Sequence, residues 1–190
     1  MNKNATQLLV AASIFAATGC STLIGSVRPA EEKSDTYGVI DLSSDPTHEW
    51  AHLTDQQSGL NSEEAKNSDS RSTEVADSAY QNKKTSAIIS INSACRIQSP
   101  DHEDLHEDSK LLFLGISDIT LREEVPMVIQ ATPALRTTLE GKLQTEPVKL
   151  RAVVLRRKAC LYDLLYVARP EHFPANEADF ERFVASLRLK

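Results

Sequence analysis

Apolar positions along this chain fall into two spacings, period two and period three to four, and a long polar stretch precedes most of them. The run Ala87-Ile88-Ile89-Ser90-Ile91 is dense in β-branched residues and predicts a strand with at least one buried face. Ser99-Pro100 has the form of an N-cap followed by a first-turn proline, which predicts a helix over 100–113. Its inner stripe is Leu105, Ser109, Leu112 and Phe113, with His102 and His106 beside it, and Gly115 is placed to end it. Residues 125–129 predict a strand that Pro126 confines to an edge or a bulge. Turns are expected at Glu140-Gly141 and Glu146-Pro147. Between 148 and 168 two strands carry apolar residues on both faces: Leu150, Ala152 and Val154 oppose Val153 and Leu155, and Leu161, Leu165 and Val167 oppose Tyr162, Leu164 and Tyr166. Lys158-Ala159 joins them as a hairpin. Asn176, with Asp179 three residues on, predicts the cap of a closing helix. Its stripe is Phe180, Phe183, Val184 and Leu187, and Arg188 and Lys190 suit its C-terminal dipole.

The resulting order, β-α-β-β-β-α over roughly 110 residues, is ample for one core. Its strands follow one another by turns, so the fold class is α+β, a mainly antiparallel sheet with helices packed on it. The strand Cys160-Leu161-Tyr162-Asp163-Leu164-Leu165-Tyr166, followed by Phe180-x-x-Phe183-Val184-x-Ser186, resembles the PsbP/Mog1-type sandwich over about 50–189. That resemblance implies a binding or accessory protein rather than an enzyme. It carries no functional residue across.

Upstream, 37–42 and 50–53 have the pattern of short strands around a Ser43-Ser44-Asp45-Pro46 turn, and Trp50 reads as a buried anchor. Then Ser, Asn, Gln, Asp and Glu take over, with Leu60 and Val75 nearly alone as larger apolar residues. Such a stretch buries too little to offset its ordering entropy, so 54–79 is expected to be disordered. The organisation is then a signal peptide at 1–19, a disordered tether at 20–36 and the α+β domain at 37–190.

The signal assignment rests on Lys3, an apolar core over 8–17 and the exit Ala17-Thr18-Gly19-Cys20. Ten helical residues reach ~15 Å, half of a bilayer's hydrocarbon, so the core is not a span. The exit resembles the lipobox of bacterial lipoproteins, with Ala17 where that family favours Leu. The resemblance implies cleavage before Cys20 and acylation of that cysteine, hence a membrane held through an N-terminal lipid anchor. Ser21, rather than Asp, after the cysteine implies the outer membrane, periplasmic face. An ordinary cleaved signal with an incidental cysteine is the alternative.

The chain has 190 residues and a formal charge of −6, and cleavage takes away Lys3 and leaves −7. An acidic chain is a poor match for nucleic-acid phosphates, so no nucleic-acid partner is expected. With Cys20 set aside, Cys95 and Cys160 remain. In an oxidising compartment they are expected to pair, two buried thiols being the alternative.

His102-Glu103-Asp104-Leu105-His106 matches H-E-x-x-H, where a helix would set both histidines on one zinc ion with the Glu as general base. The acidic neighbours Asp101, Asp104, Glu107 and Asp108, and a third ligand offered only by Glu123 or Glu124, favour a solvated helix start instead. There is no Gly-x-Ser-x-Gly elbow and no phosphate loop. Arg156-Arg157-Lys158, near Arg151, forms a basic hairpin, either a solvated turn or a contact for anionic headgroups or an acidic partner. Asp163 is expected to face solvent or to pair with one of those arginines. The sequence therefore predicts a non-enzymatic, lipid-anchored accessory domain with an envelope protein or transport complex as partner, and no catalytic, metal or cofactor residues. A zinc hydrolase built on His102, Glu103 and His106 is the alternative, and a lipid carrier would need a cavity between sheet and helix.

Overall fold

The computed structural model of the chain describes residues 33–34, 36–53, 76–95 and 104–190. In chain order these form β1 (Tyr37–Gly38), a 3₁₀ turn (Leu42–Ser44), β2 (Trp50–His52), β3 (Ser78–Asn82), β4 (Ile88–Cys95), α1 (Leu105–Leu111), β5 (Ile116–Ile129), β6 (Thr132–Leu143), β7 (Glu146–Arg157), β8 (Cys160–Ala168), α2 (Phe173–Ser186) and β9 (Arg188–Leu189). A seven-stranded sheet runs β2-β3-β4-β8-β7-β6-β5, with every neighbouring pair antiparallel, and β1 and β9 form a separate two-stranded pair. This is the expected α+β architecture.

Alternation along the strands sends two sets of side chains to opposite faces. One set, Ile89, Ile91, Val153, Leu155, Tyr162, Leu164 and Tyr166, packs beneath Phe180, Phe183, Val184 and Leu187 of the α2 segment. Tyr166 stacks on Phe180 at 5.6 Å between ring centres and gives its hydroxyl hydrogen to the carbonyl of Phe173 at 2.7 Å. Burial first of all pushes that phenol up from its ordinary value. The opposite set, Leu139, Leu150, Ala152, Leu165 and Val167, packs beneath Leu112 and Phe113 at the end of α1. β8 lies inside both layers, and residues 161–168 are all buried. Its two-faced apolar pattern follows from that position. Trp50 is buried as expected and donates Nε1–H to Asp179 on α2 at 3.0 Å.

Five elements differ from the sequence reading, the first being β5, which runs Ile116–Ile129 rather than 125–129. β6 occupies 132–143, where no strand was predicted, and the expected Glu140-Gly141 turn lies inside it. Gly141 faces a bulge in β5 between Ser117 and Leu121, and a Cβ there would meet the Ser117 carbonyl at 2.7 Å. The glycine admits a close backbone approach rather than a turn. β3 begins at Ser78, so residues 78 and 79, read as the end of the polar stretch, are sheet. α1 begins at Leu105 and is capped by Asp104, whose carboxylate accepts from the His106 amide at 2.9 Å. α2 is capped at His172, and Asn176 lies within it, buried and accepting from the Thr85 hydroxyl at 2.7 Å.

β5 is the outer strand, one of the two places Pro126 allowed, and is protected as edges usually are. A bulge turns its first half, Pro126 lacks a donor, and Arg122, Glu123 and Glu124 break its apolar run. Among the described residues no helix is long and apolar enough to cross a membrane.

Candidate functional site

His102 and Glu103 of the H-E-x-x-H match lie outside the described residues, as does Cys20. His106 stands in the first turn of α1, and its Nδ1 is 2.6 Å from Glu124 on β5. Glu124 also receives Arg122 through Nε at 3.0 Å and Nη2 at 2.7 Å. Those arginine bonds first, and His106 after them, hold its carboxyl below the usual range. The expected helix over 100–113 is replaced by one that starts after Asp104. Among the described residues no three His, Cys, Asp or Glu side chains gather to hold a metal ion.

Behind His106 the helix turns polar side chains inward. Asp108 takes both arms of Arg156 at 2.7 Å, and Ser109 meets Thr137 of β6 at 2.8 Å. The first arginine of the basic hairpin is thus spent inside the protein. Arg151 reaches the other face, where it binds Glu177 at 2.5 Å and Glu181 at 3.0 Å on α2. Asp163 is buried and does not face solvent.

The densest polar constellation lies where the chain enters the domain from its N-terminal side. Asp77, just before β3, accepts from the Tyr37 hydroxyl at 2.7 Å and from Ser93, and Lys33 pairs with it at 3.1 Å. Lys33 also reaches the amide oxygen of Asn92. The Ser34 amide donates to the Ser93 hydroxyl at 2.9 Å, and the Ser34 hydroxyl meets the Tyr162 phenol at 3.0 Å. Tyr37 packs edge-on against Tyr162, and burial, then the carboxylate of Asp77, pushes its phenol well above the ordinary value. Lys190 closes the seat by donating its amide to the Thr36 carbonyl at 2.7 Å. Beside it Cys95 and Cys160, register partners on β4 and β8, form a disulfide with their Cα atoms 4.0 Å apart. The expected pairing is present. Ser93 is fully buried, so the hydroxyl that touches this carboxylate serves packing and hydrogen bonding rather than an open site.

A shallow groove of about 430 Å³ lies between the 3₁₀ turn and α2, lined by Ile40, Leu42, Pro46, Arg182 and Ala185. The Arg182–Asp45 bond at 2.7 Å ties the 3₁₀ turn to α2. The Thr47 amide first, and Arg182 next, draw the Asp45 carboxyl from 3.8 down to about 2. Asp41, bonded by Ser43 and Ser44, is also lowered. A carboxyl whose folded value lies below its unfolded one contributes stability that is complete above the unfolded value and is lost as pH falls toward the folded one. We expect Asp45→Asn to be less stable than the wild type at pH 7, with the gap closing between about pH 4 and pH 2. Urea midpoints across that range check this; parallel curves for the two proteins rule it out.

No family model matches the chain, and no curated protein matches it either. Among solved structures it is similar to cyanobacterial PsbP (CyanoP) from Synechocystis sp. PCC 6803. That match has a TM-score of 0.53 and 9% sequence identity over 94% of this chain and 98% of that one. It is also similar to PA94 from Pseudomonas aeruginosa, a protein of unknown function described as a candidate regulator, with a TM-score of 0.45 and 15% identity over 60% of this chain and 75% of that one. The fold is PsbP-like. The expected resemblance holds at the level of architecture, which transfers no activity.

Proposed function

We propose that this chain is a lipid-anchored envelope lipoprotein whose PsbP-like domain is a non-enzymatic accessory module. Acyl groups on Cys20 hold it at the periplasmic face of the outer membrane, and the domain binds an envelope protein or transport complex. The observation that carries the reading is the Cys95–Cys160 disulfide. A cross-strand bridge suits an exported protein, and it leaves Cys20 as the cysteine without a partner in a chain that has three. The seat beside it supports the same reading. Lys33 and Ser34 are bolted to the domain thirteen peptide units after Cys20, so an anchor there restrains the whole domain. Durable attachment needs more than one acyl chain, as the lipobox resemblance implies.

The filled space between α2 and the sheet, occupied by Phe180, Phe183 and Tyr166, favours protein binding over lipid carriage. The test is metabolic labelling with a palmitate analogue in cells that express the full chain. Label in the membrane fraction, lost in Cys20→Ala, is the expected result. An unlabelled, freely released wild type overturns it.

A further inference from the structure

Charge pairing divides the two ends of this sheet. Among the described lysines and arginines, all but Lys83, Arg157, Lys158, Arg188 and Lys190 have an acidic partner. Four of these five sit at one end. Arg157 ends β7 as the register partner of Cys160, and Lys158 begins the β7–β8 turn. Arg188 pairs with Gly38 across β1–β9 and donates Nη1–H to the Ala185 and Leu187 carbonyls at 2.9 Å, with no carboxylate partner among the described residues, and the Lys190 amide bonds Thr36. Lys158, Arg188 and Lys190 are exposed, and Arg157 is half-buried. Asp77, at the same end, is already bonded inward by Tyr37, Ser93 and Lys33. At the opposite end the charges are matched, Asp118 with Lys142, Glu140 with Lys149 and Glu146 with Arg169.

The unpaired end is also the end at which the chain from Cys20 arrives, through Lys33, Ser34 and Thr36. We infer that Arg157, Lys158, Arg188 and Lys190 form a cationic foot that docks on anionic phospholipid headgroups and stands the domain on its membrane by this end. The inference rests on the lipid-anchor reading for its orientation. Thirteen peptide units reach at most about 45 Å, so the anchor keeps the foot near the leaflet. An acidic chain is repelled as a whole by an anionic surface, so a local cationic end selects one orientation among those the anchor allows. Each Lys or Arg near such a surface contributes about 1 kcal/mol, which salt screens within a Debye length. The opposite end, with its matched charges, then faces away, open to a protein partner.

The experiment uses the processed chain, 20–190, carrying Cys20→Ser so that no lipid contributes. Vesicles of phosphatidylglycerol and phosphatidylethanolamine should sediment it at low salt. Vesicles of phosphatidylcholine should not, and 0.5 M NaCl should release it. Arg157→Gln with Lys158→Gln, at the half-exposed end of β7 and the turn after it, should weaken binding about thirtyfold by the same per-charge figure. Lys83→Gln, at the far end, should leave it within twofold. No binding to the anionic vesicles, equal binding to phosphatidylcholine, or an equal loss in Lys83→Gln overturns the foot. Palmitate labelling of Cys20 reads the anchor separately. Label without vesicle binding removes the foot and keeps the anchor, whereas vesicle binding without label does the reverse.

Discussion

Removing the Cys95–Cys160 bridge should lower the domain's stability by roughly 4 kcal/mol. The two cysteines are 65 residues apart, and in the chain-entropy model a loop of that size costs the unfolded chain roughly that much freedom when closed. In a protein of this length the loss corresponds to a fall of roughly 8–16 °C in the unfolding temperature. The position adds to the effect. The bridge lies at the junction of β4 and β8, two residues from both Ser93 and Tyr162, the side chains that hold Ser34. Without it the seat of the N-terminal segment should open more readily than the sheet centre at Leu164 and Ile91. The measurement is thermal and urea unfolding of the wild type with and without reductant, beside a Cys95→Ala, Cys160→Ala double variant. The reduced protein and the double variant should agree with each other and both lie well below the oxidised form. Coincident curves for all three would show that the loop entropy is offset elsewhere.

What the sequence announced and what it hid have a common cause. The two-faced runs at 148–168 and the Phe-rich stripe of α2 were legible because their burial is apolar, and apolar periodicity is a direct image of which side faces the core. β6 was missed because its inward positions are not all apolar. Thr137 and Thr138 are buried beside Leu139, one bonded to Ser109 and the other to Arg151, while Arg136 is covered by Glu181. A strand that buries hydroxyls against polar partners reads as loop until those partners are known. Gly141 compounded this, since a glycine that admits a neighbour's backbone looks the same in sequence as one that turns the chain. The sequence offered Ser99-Pro100 as the cap of α1, whereas the fold uses Asp104. That start is consistent with the inward Asp108–Arg156 bond, which needs the register beginning at Leu105.

The candidate site shows the same limit more sharply. The cysteine pair was legible because an expected oxidising compartment and the count of three narrowed the choice. The seat of Lys33, Ser34, Tyr37, Asp77, Ser93 and Tyr162 was not, since it joins residues up to 128 positions apart. No local spacing encodes such a set. The basic hairpin was visible as a charge run, but its division was hidden. Arg156 is consumed by Asp108, and only Arg157 and Lys158 remain for a surface. Charge in a sequence counts ions, whereas charge in a fold counts those left without a partner.

Asp108→Ala should cost about 2–3 kcal/mol, and the loss should appear first as opening of α1. Taking one member from a buried ion pair leaves the other charged and desolvated, which costs ~3–5 kcal/mol when burial is complete. Here Arg156 and Asp108 keep 17% and 11% of their side chains exposed, so water recovers part of that. The helix sets a ceiling as well. It is seven residues long, too short to persist alone, and within it only Asp108 and Ser109 are buried. Once the pair is broken, Ser109–Thr137 and the packing of Phe113 just beyond it must hold the segment, and releasing α1 lets Arg156 reach solvent. Amide exchange should therefore quicken across 105–113 by far more than across β7 and β8. Replacing both partners by apolar residues, Asp108→Leu with Arg156→Met, removes the desolvated charge and should recover most of the loss. A double variant no better than Asp108→Ala would mean that the bond itself, and not the orphaned arginine, holds α1 on the sheet.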